Sequence, residues 1–141
     1  MTRPAPHGPE QRLRAAIEAS PSGLLMTDAE GRIVLVNRQV EAVFGYAREE
    51  LLGKPVDLLL PERLRAKHAR DRAQFLLAPR VRQMGLGADL HGLRRDGTEV
   101  PLEIGLTPLA TDEGLFVLAT IVDIRERQRA RERFRVAVEA S

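Results

Sequence analysis

Few side chains in this 141-residue chain could carry chemistry, and their spacing decides how far each can be taken. There is no cysteine, which removes disulfides, thiolate zinc sites, iron–sulfur clusters, thiol nucleophiles and thiol–flavin photochemistry. Of the three histidines, His7 lies in a proline-rich leader, His91 falls on the outward phase of an expected strand, and His68 sits on the inward face of an expected helix. They are too scattered for a zinc site, so His68 alone offers a neutral imidazole as a ligand. The carboxylate pairs Glu49-Glu50 and Asp112-Glu113 stand at a helix start and in a turn, where capping and solvation account for them. Gly85-Leu86-Gly87 lacks the third glycine and the following helix of a dinucleotide loop, and reads as a glycine pair opening a strand. No nucleophile, metal cluster or phosphate loop converges, so the expectation is a domain that performs no catalysis itself.

The size allows one core. With 43% hydrophobic and 30% charged residues the chain has the make-up of an ordinary globular domain. Its 22 basic and 20 acidic residues leave a formal charge of only +2. Arg125 to Arg135 is dense in arginine but interleaved with Glu126 and Glu132, which reads as a solvated helix face and not a nucleic-acid surface. No apolar run approaches the roughly 18 residues of a membrane-spanning helix, and the first ten residues lack the apolar middle of a secretory signal. The expectations are a cytoplasmic location, no nucleic acid and no direct membrane contact.

Positioning elements follow from periodicity. Residues 1–11 should be a flexible leader, running into a short amphipathic helix through Leu13, Ala16 and Ile17 that Pro21 and Gly23 stop. Leu24–Thr27 and Ile33–Val36, joined by Asp28-Ala29-Glu30-Gly31, form a hairpin. Short helical stripes follow, closed by Gly45, Gly53 and Pro61. After Pro61 a longer helix should run to about Leu77, with Leu64, His68, Asp71 or Arg72, Phe75 and Leu76 on one face. The last third is β: an alternating strand at Leu86, Ala88 and Leu90, a turn at Arg95-Asp96-Gly97-Thr98, a long strand through Val100, Leu102, Ile104 and Leu106, and a final strand from Leu115 to Ile124. Strands apolar on both faces imply a sheet covered on both sides, by the middle helices and by a terminal helix or a second subunit. From Arg125 a helix with Ala130, Phe134, Ala137 and Val138 on a narrow stripe suggests a coiled-coil-like connector. Residues 13–20, LRAAIEAS, match residues 134–141, FRVAVEAS, at five of eight positions, as if a second copy of the unit began there.

The segments AIEASPSGLLMTDAEGRIVLVN, FGYAREELLGK, RRDGTEVPLEIGLTPL and FVLATIVDIRERQRARE resemble a PAS domain of the bacterial sensor-kinase type across residues 12 to about 127. The resemblance implies an α+β fold: a five-stranded antiparallel sheet with helices on one face, an N-terminal cap helix and a C-terminal signalling helix. The domain would then occupy residues 12–124 and the connector residues 125–141. It also implies a sensory and dimerisation module, acting as a homodimer and fused to a downstream effector domain in the same polypeptide, a histidine kinase or diguanylate cyclase. Asp123 to Arg127 is similar to the family's D-I-T-x-R junction, with Arg125 where a threonine that helps cap the exit helix is common. Similar domains also suggest an ion pair from Glu50 to Arg94 or Arg95.

The light-sensing branch of that family needs a cysteine on the helix that here reads RLRAKHARDRAQF, so that chemistry is excluded. His68 followed by Gly85-Leu86-Gly87 is similar to the oxygen-sensing haem-PAS kinases, in which a histidine on this helix is the proximal iron ligand. The resemblance therefore implies haem b as one cofactor, held by His68, with non-covalent flavin a weaker candidate and an unidentified small molecule a third. Those kinases carry an arginine after the second glycine that reaches the bound gas; Ala88 stands there, so this route of oxygen stabilisation is missing. The expected pocket is lined by Leu64, His68, Phe75, Leu86, Ala88, Leu102 and Ile104. The competing reading is a dimerisation spacer without a ligand, whose core would be filled.

Overall fold

The computed structural model describes residues 8–84 and 90–140. Helix α1 (Pro9–Ala19) leads into strands β1 (Gly23–Thr27) and β2 (Ile33–Val36), then the short helices α2 (Arg38–Phe44) and α3 (Arg48–Leu51). A 3-10 turn (Val56–Leu59) and helix α4 (Glu62–Leu77) follow. The chain returns as β3 (Arg82–Met84), β4 (His91–Leu93), β5 (Glu99–Thr111) and β6 (Gly114–Asp123), and leaves through α5 (Arg125–Ala140).

The strands form one antiparallel sheet in the order β2-β1-β6-β5-β3, with β4 also paired to β5. Because β3 faces Ile104–Leu106 and β4 faces Glu99–Pro101, the two are halves of one edge position, and the sheet is five positions wide. This is the architecture expected from the resemblance. Of the strand expected at Leu86, Ala88 and Leu90, Leu86 and Ala88 fall outside the described residues; the described edge consists of β3 and β4 on either side of them. The entry helix starts at Pro9, inside the stretch assigned to a leader.

Local signals explain the elements. Asn37 ends β2 and caps α2, its side-chain oxygen accepting from the Val40 amide. Asp28 closes the first hairpin by accepting from the Glu30 and Arg32 amides. Glu50 pairs with Arg95 at 3.1 Å, tying α3 to the turn between β4 and β5. The packed core sits at one end of the shell, where Leu25, Val40, Phe44, Leu51, Val100 and Leu102 are almost wholly buried. There the backbone of Gly92 approaches so closely that a Cβ would lie 2.6 Å from the Phe44 ring.

Asn37 is the most connected side chain of this region and is fully buried. Its oxygen accepts from Leu24 (2.9 Å) and Val40 (3.2 Å), while its amide nitrogen donates to the carbonyls of Ile17 (2.8 Å) and Ser22 (3.1 Å). All four hydrogen-bonding positions of the amide are used. Replacing Asn37 with Ala should leave several buried backbone groups unpaired and lower stability by about 3 kcal/mol or more, read from urea unfolding midpoints. Asn37→Asp, which aims a carboxylate at two carbonyl oxygens, should do no better.

Candidate ligand cavity

The other end of the shell is open. α4 carries seven charged residues among its 16 and buries only Phe75, so it has little apolar surface to press on the sheet. It stands over the sheet and leaves a cavity of about 390 Å³ between its inner face and strands β1, β5 and β6. That is the size of small-molecule sites and far beyond what one water needs.

The expected lining residues meet there: Leu64, His68 and Phe75 from α4, Leu102 and Ile104 from β5. Leu86 and Ala88 lie outside the described residues. His91 keeps the outward phase expected of it: it stands opposite Pro101, while Gly92, opposite the buried Val100, turns toward Phe44 and Leu102, and His91 borders the cavity from the edge strand. Sequence reasoning also missed Asp28, Arg82 and Leu106 in the lining. For Leu106 the signal was present in the alternation Leu102, Ile104, Leu106. For Arg82 it was hidden in a three-residue strand.

Around His68 the geometry is specific. Its Nδ1 lies 3.0 Å from Asp57 Oδ1 on the 3-10 turn. The Asp57 carboxylate accepts only, so the proton of this contact sits on Nδ1, and in the neutral ring Nε2 keeps its lone pair. Arg65 Nε donates to the carbonyls of Asp57 and Leu60, both at 3.2 Å, fixing the turn against α4. At the start of α4, Arg63 forms a two-pronged pair with Glu99 at the head of β5. The Arg63 guanidinium holds the Glu99 carboxyl below its usual pKa. A histidine ordered by a carboxylate through Nδ1 is the donor arrangement that suits an iron ligand. Among the described residues no group of three or more metal-binding side chains exists.

Beyond the cavity, β5 alternates. Leu102 and Ile104 face inward, while Glu103 between them pairs with Arg127 of α5 at 2.6 Å. The Pro101 carbonyl accepts from the Ile124 amide at 3.2 Å. Asp123 takes the capping role, its Oδ1 accepting from the Arg125 amide at 2.9 Å, and the Arg125 guanidinium grips the same carboxylate at 2.7 Å. The arginine that stands in place of threonine thus braces the cap from the outside.

A profile described as the PAS fold matches residues 11–124. The chain belongs to the PAS family. Over 124 residues it is 26% identical to the sensor protein FixL of Bradyrhizobium diazoefficiens, covering 88% of this chain and 25% of that protein. Over 120 residues it is 23% identical to the oxygen sensor protein DosP of Escherichia coli, covering 85% of this chain and 15% of that one. This PAS chain therefore spans a quarter or less of those two relatives. Among solved structures, the PAS domain of an HTR-like protein from Haloarcula marismortui is 28% identical with a TM-score of 0.66, covering 82% of this chain and 96% of that one. An RNA-binding light-oxygen-voltage receptor shares the fold at a TM-score of 0.73 and 18% identity, covering 99% of this chain and 41% of that one. The chain is thus a PAS sensory domain, related to domains of larger sensor proteins, and no described helix is long and apolar enough to cross a membrane.

The junction makes a pH prediction. Partial burial alone would raise the pKa of Asp123, but the hydrogen bonds and charge of Arg125 outweigh it and hold the carboxyl below its ordinary value. The folded protein thus holds this proton less tightly than the unfolded chain. The stabilisation is complete above the unfolded pKa, near about 4, and fades as pH falls through the lower folded value. Asp123→Asn should melt below the parent at pH 7, and the gap should narrow as pH drops below about 4, followed by circular dichroism.

Proposed function

We propose that this PAS domain binds a small molecule in the cavity between α4 and the sheet and relays its occupancy through β5 into α5. The observation that carries the reading is the cavity itself: a spacer without a ligand would have a filled core at that place. The relay is supported by β5, whose inward residues touch the cavity and whose outward Glu103 holds α5. A ligand that favours one position of this strand over another biases the helix.

On this reading the domain works as a homodimer in a larger cytoplasmic signalling protein. Phe134 is 71% exposed on α5, and the exposed Val138 stands one turn on along the same stripe, an apolar surface of the kind a paired helix covers. The effector in the same polypeptide is a histidine kinase or diguanylate cyclase. The likeness of residues 134–141 to residues 13–20 fits α5 also being the entry helix of a second such domain.

A second reading is favoured by the Asp57–His68 contact: haem held by His68, which when bound would supply an iron able to take a diatomic gas or an electron. In that case α4 positions the imidazole, Asp57 fixes its tautomer, and the apolar wall of the sheet excludes water.

The cavity reading is tested by Ile104→Trp, which fills the space from the sheet side. Mass spectrometry of purified protein should find a bound small molecule in the parent and none in the variant. A spacer predicts no bound molecule in either and an unchanged or raised melting temperature for the variant. For the haem reading, reconstituted protein should show a Soret band that His68→Ala abolishes or shifts; absence of any band would overturn it.

A further inference from the structure

We infer that the cavity is built for an amphipathic anion, its apolar body lying between α4 and the sheet and its acidic head group held by Arg72 and Arg82. The inference rests on the proposal that this cavity takes a ligand, and it specifies that ligand's class.

The deep wall is apolar, formed by Leu25, Phe44, Phe75, Leu102 and Ile104. The charges gather elsewhere in the lining: Asp28, Lys67, Asp71, Arg72 and Arg82. Two of the three cations are unspent. Lys67 pairs with Asp71 at 3.0 Å. Asp28 is committed to its own hairpin, where one carboxylate oxygen accepts from Glu30 and Arg32 amides. Among the described residues neither the Arg72 nor the Arg82 side chain makes a hydrogen bond or an ion pair. Elsewhere arginines are routinely paired, as at Arg48–Glu18, Arg63–Glu99, Arg95–Glu50, Arg125–Asp123 and Arg127–Glu103. Among the described residues a few other arginines, such as Arg14, Arg70 and Arg131, also lack such a pair, but of these unpaired cations Arg72 and Arg82 are the ones that line the cavity.

Their placement is fixed from both sides. Arg72 reaches from α4 to the hairpin, and Gly31 makes room for it: with φ +83 and no Cβ, its backbone lies where any side chain would collide with the Arg72 guanidinium. Arg82 is half-buried on β3, paired in register with Leu106, and both line the cavity. Two guanidinium groups beside an apolar chamber, with the local carboxylates already engaged, match a carboxylate or phosphate head better than a neutral polar one. A cationic ligand would meet a lining that carries three cations against two carboxylates.

The test compares each anion with a neutral partner of the same body. Decanoate and decanol form one arm, and 2-naphthoate and 2-naphthylmethanol the other, so that the tighter-binding arm tells an acyl chain from a fused ring. Calorimetric titration should show the acid of the preferred arm binding about tenfold or more tightly than its alcohol. Arg72→Gln and Arg82→Gln should each weaken the acid about tenfold and leave the alcohol unchanged, which also shows that the variants fold. Ile104→Trp should weaken acid and alcohol alike. Equal affinity for acid and alcohol, insensitive to both arginine variants but lost in Ile104→Trp, would overturn the anion inference and leave the cavity reading standing. Binding that Ile104→Trp does not affect, or no binding in either arm, would overturn both.

Discussion

The fold depends on one buried amide. Asn37 satisfies backbone groups from three separate pieces of chain: the end of α1, the start of β1 and the first turn of α2. An unpaired amide at that depth would cost more than most single contacts provide, so the four hydrogen bonds stand or fall together. Their consequence reaches the cavity through register. With Leu24 bonded to Asn37, β1 meets β6 with Gly23 opposite Ile121 and Leu25 opposite Ala119, which puts Leu25, Ala119 and Ile121 on the inner face. A slip of one residue would turn all of them outward. The ion pair from Glu18 to Arg48 adds a second tie between α1 and the start of α3, but at the surface such a pair contributes little beside the buried amide.

Packing is uneven, and the unevenness follows from composition. The short helices α2 and α3 bring Val40, Val43, Phe44 and Leu51 to the sheet, and that half closes tightly. α4 brings one buried aromatic and a row of charges. It is attached by polar ties at its N-terminal half, through Arg63 to Glu99, Arg65 to the 3-10 turn and His68 to Asp57, and not by a broad apolar seam. A helix held at one end over an open chamber is the element of this fold with the most freedom to move when the chamber's contents change.

Much of this was readable from residue order because the signals are local. The hairpin at Asp28 to Gly31, the helix stops at Gly45 and Gly53, the helix after Pro61 and the two long strands all rest on turn chemistry and periodicity within a few residues, whereas the Asn37 cap emerged only in the structure. The extent of the edge strand was not legible from the alternation of Leu86, Ala88 and Leu90, because the described pairing with β5 takes in Arg82–Met84 and His91–Leu93. Pairing is a property of the partner as much as of the segment. The inward face of α4 was legible as a stripe, but nothing in the stripe tells whether Arg72 or Asp71 points at the sheet. The resemblance gave part of the cavity's lining, Leu64, His68, Phe75, Leu102 and Ile104, but not its size, since that is the volume left over once every other side chain has been placed.

That volume constrains what the site can hold. A closed, dry cavity of about 390 Å³, at roughly 24 cal/mol per Å³, would cost about 9 kcal/mol. A domain has about 5–15 kcal/mol of stability in all, so an empty chamber of this kind would consume most of it. The chamber is instead bordered by charged and polar side chains, Asp28, His68, Arg72 and Arg82 among them, that admit water to one end of an apolar space. Water entering there would lie against Phe75, Leu102 and Ile104 and make fewer hydrogen bonds than in bulk. A molecule with a matching apolar body releases that water and restores the missing contacts, so occupancy is favoured by the same packing deficit that an empty site would suffer. Ile104 and Leu102 flank Glu103 on the same strand, so the residues that would gain these contacts adjoin the one that holds α5, which is the basis of the proposed relay.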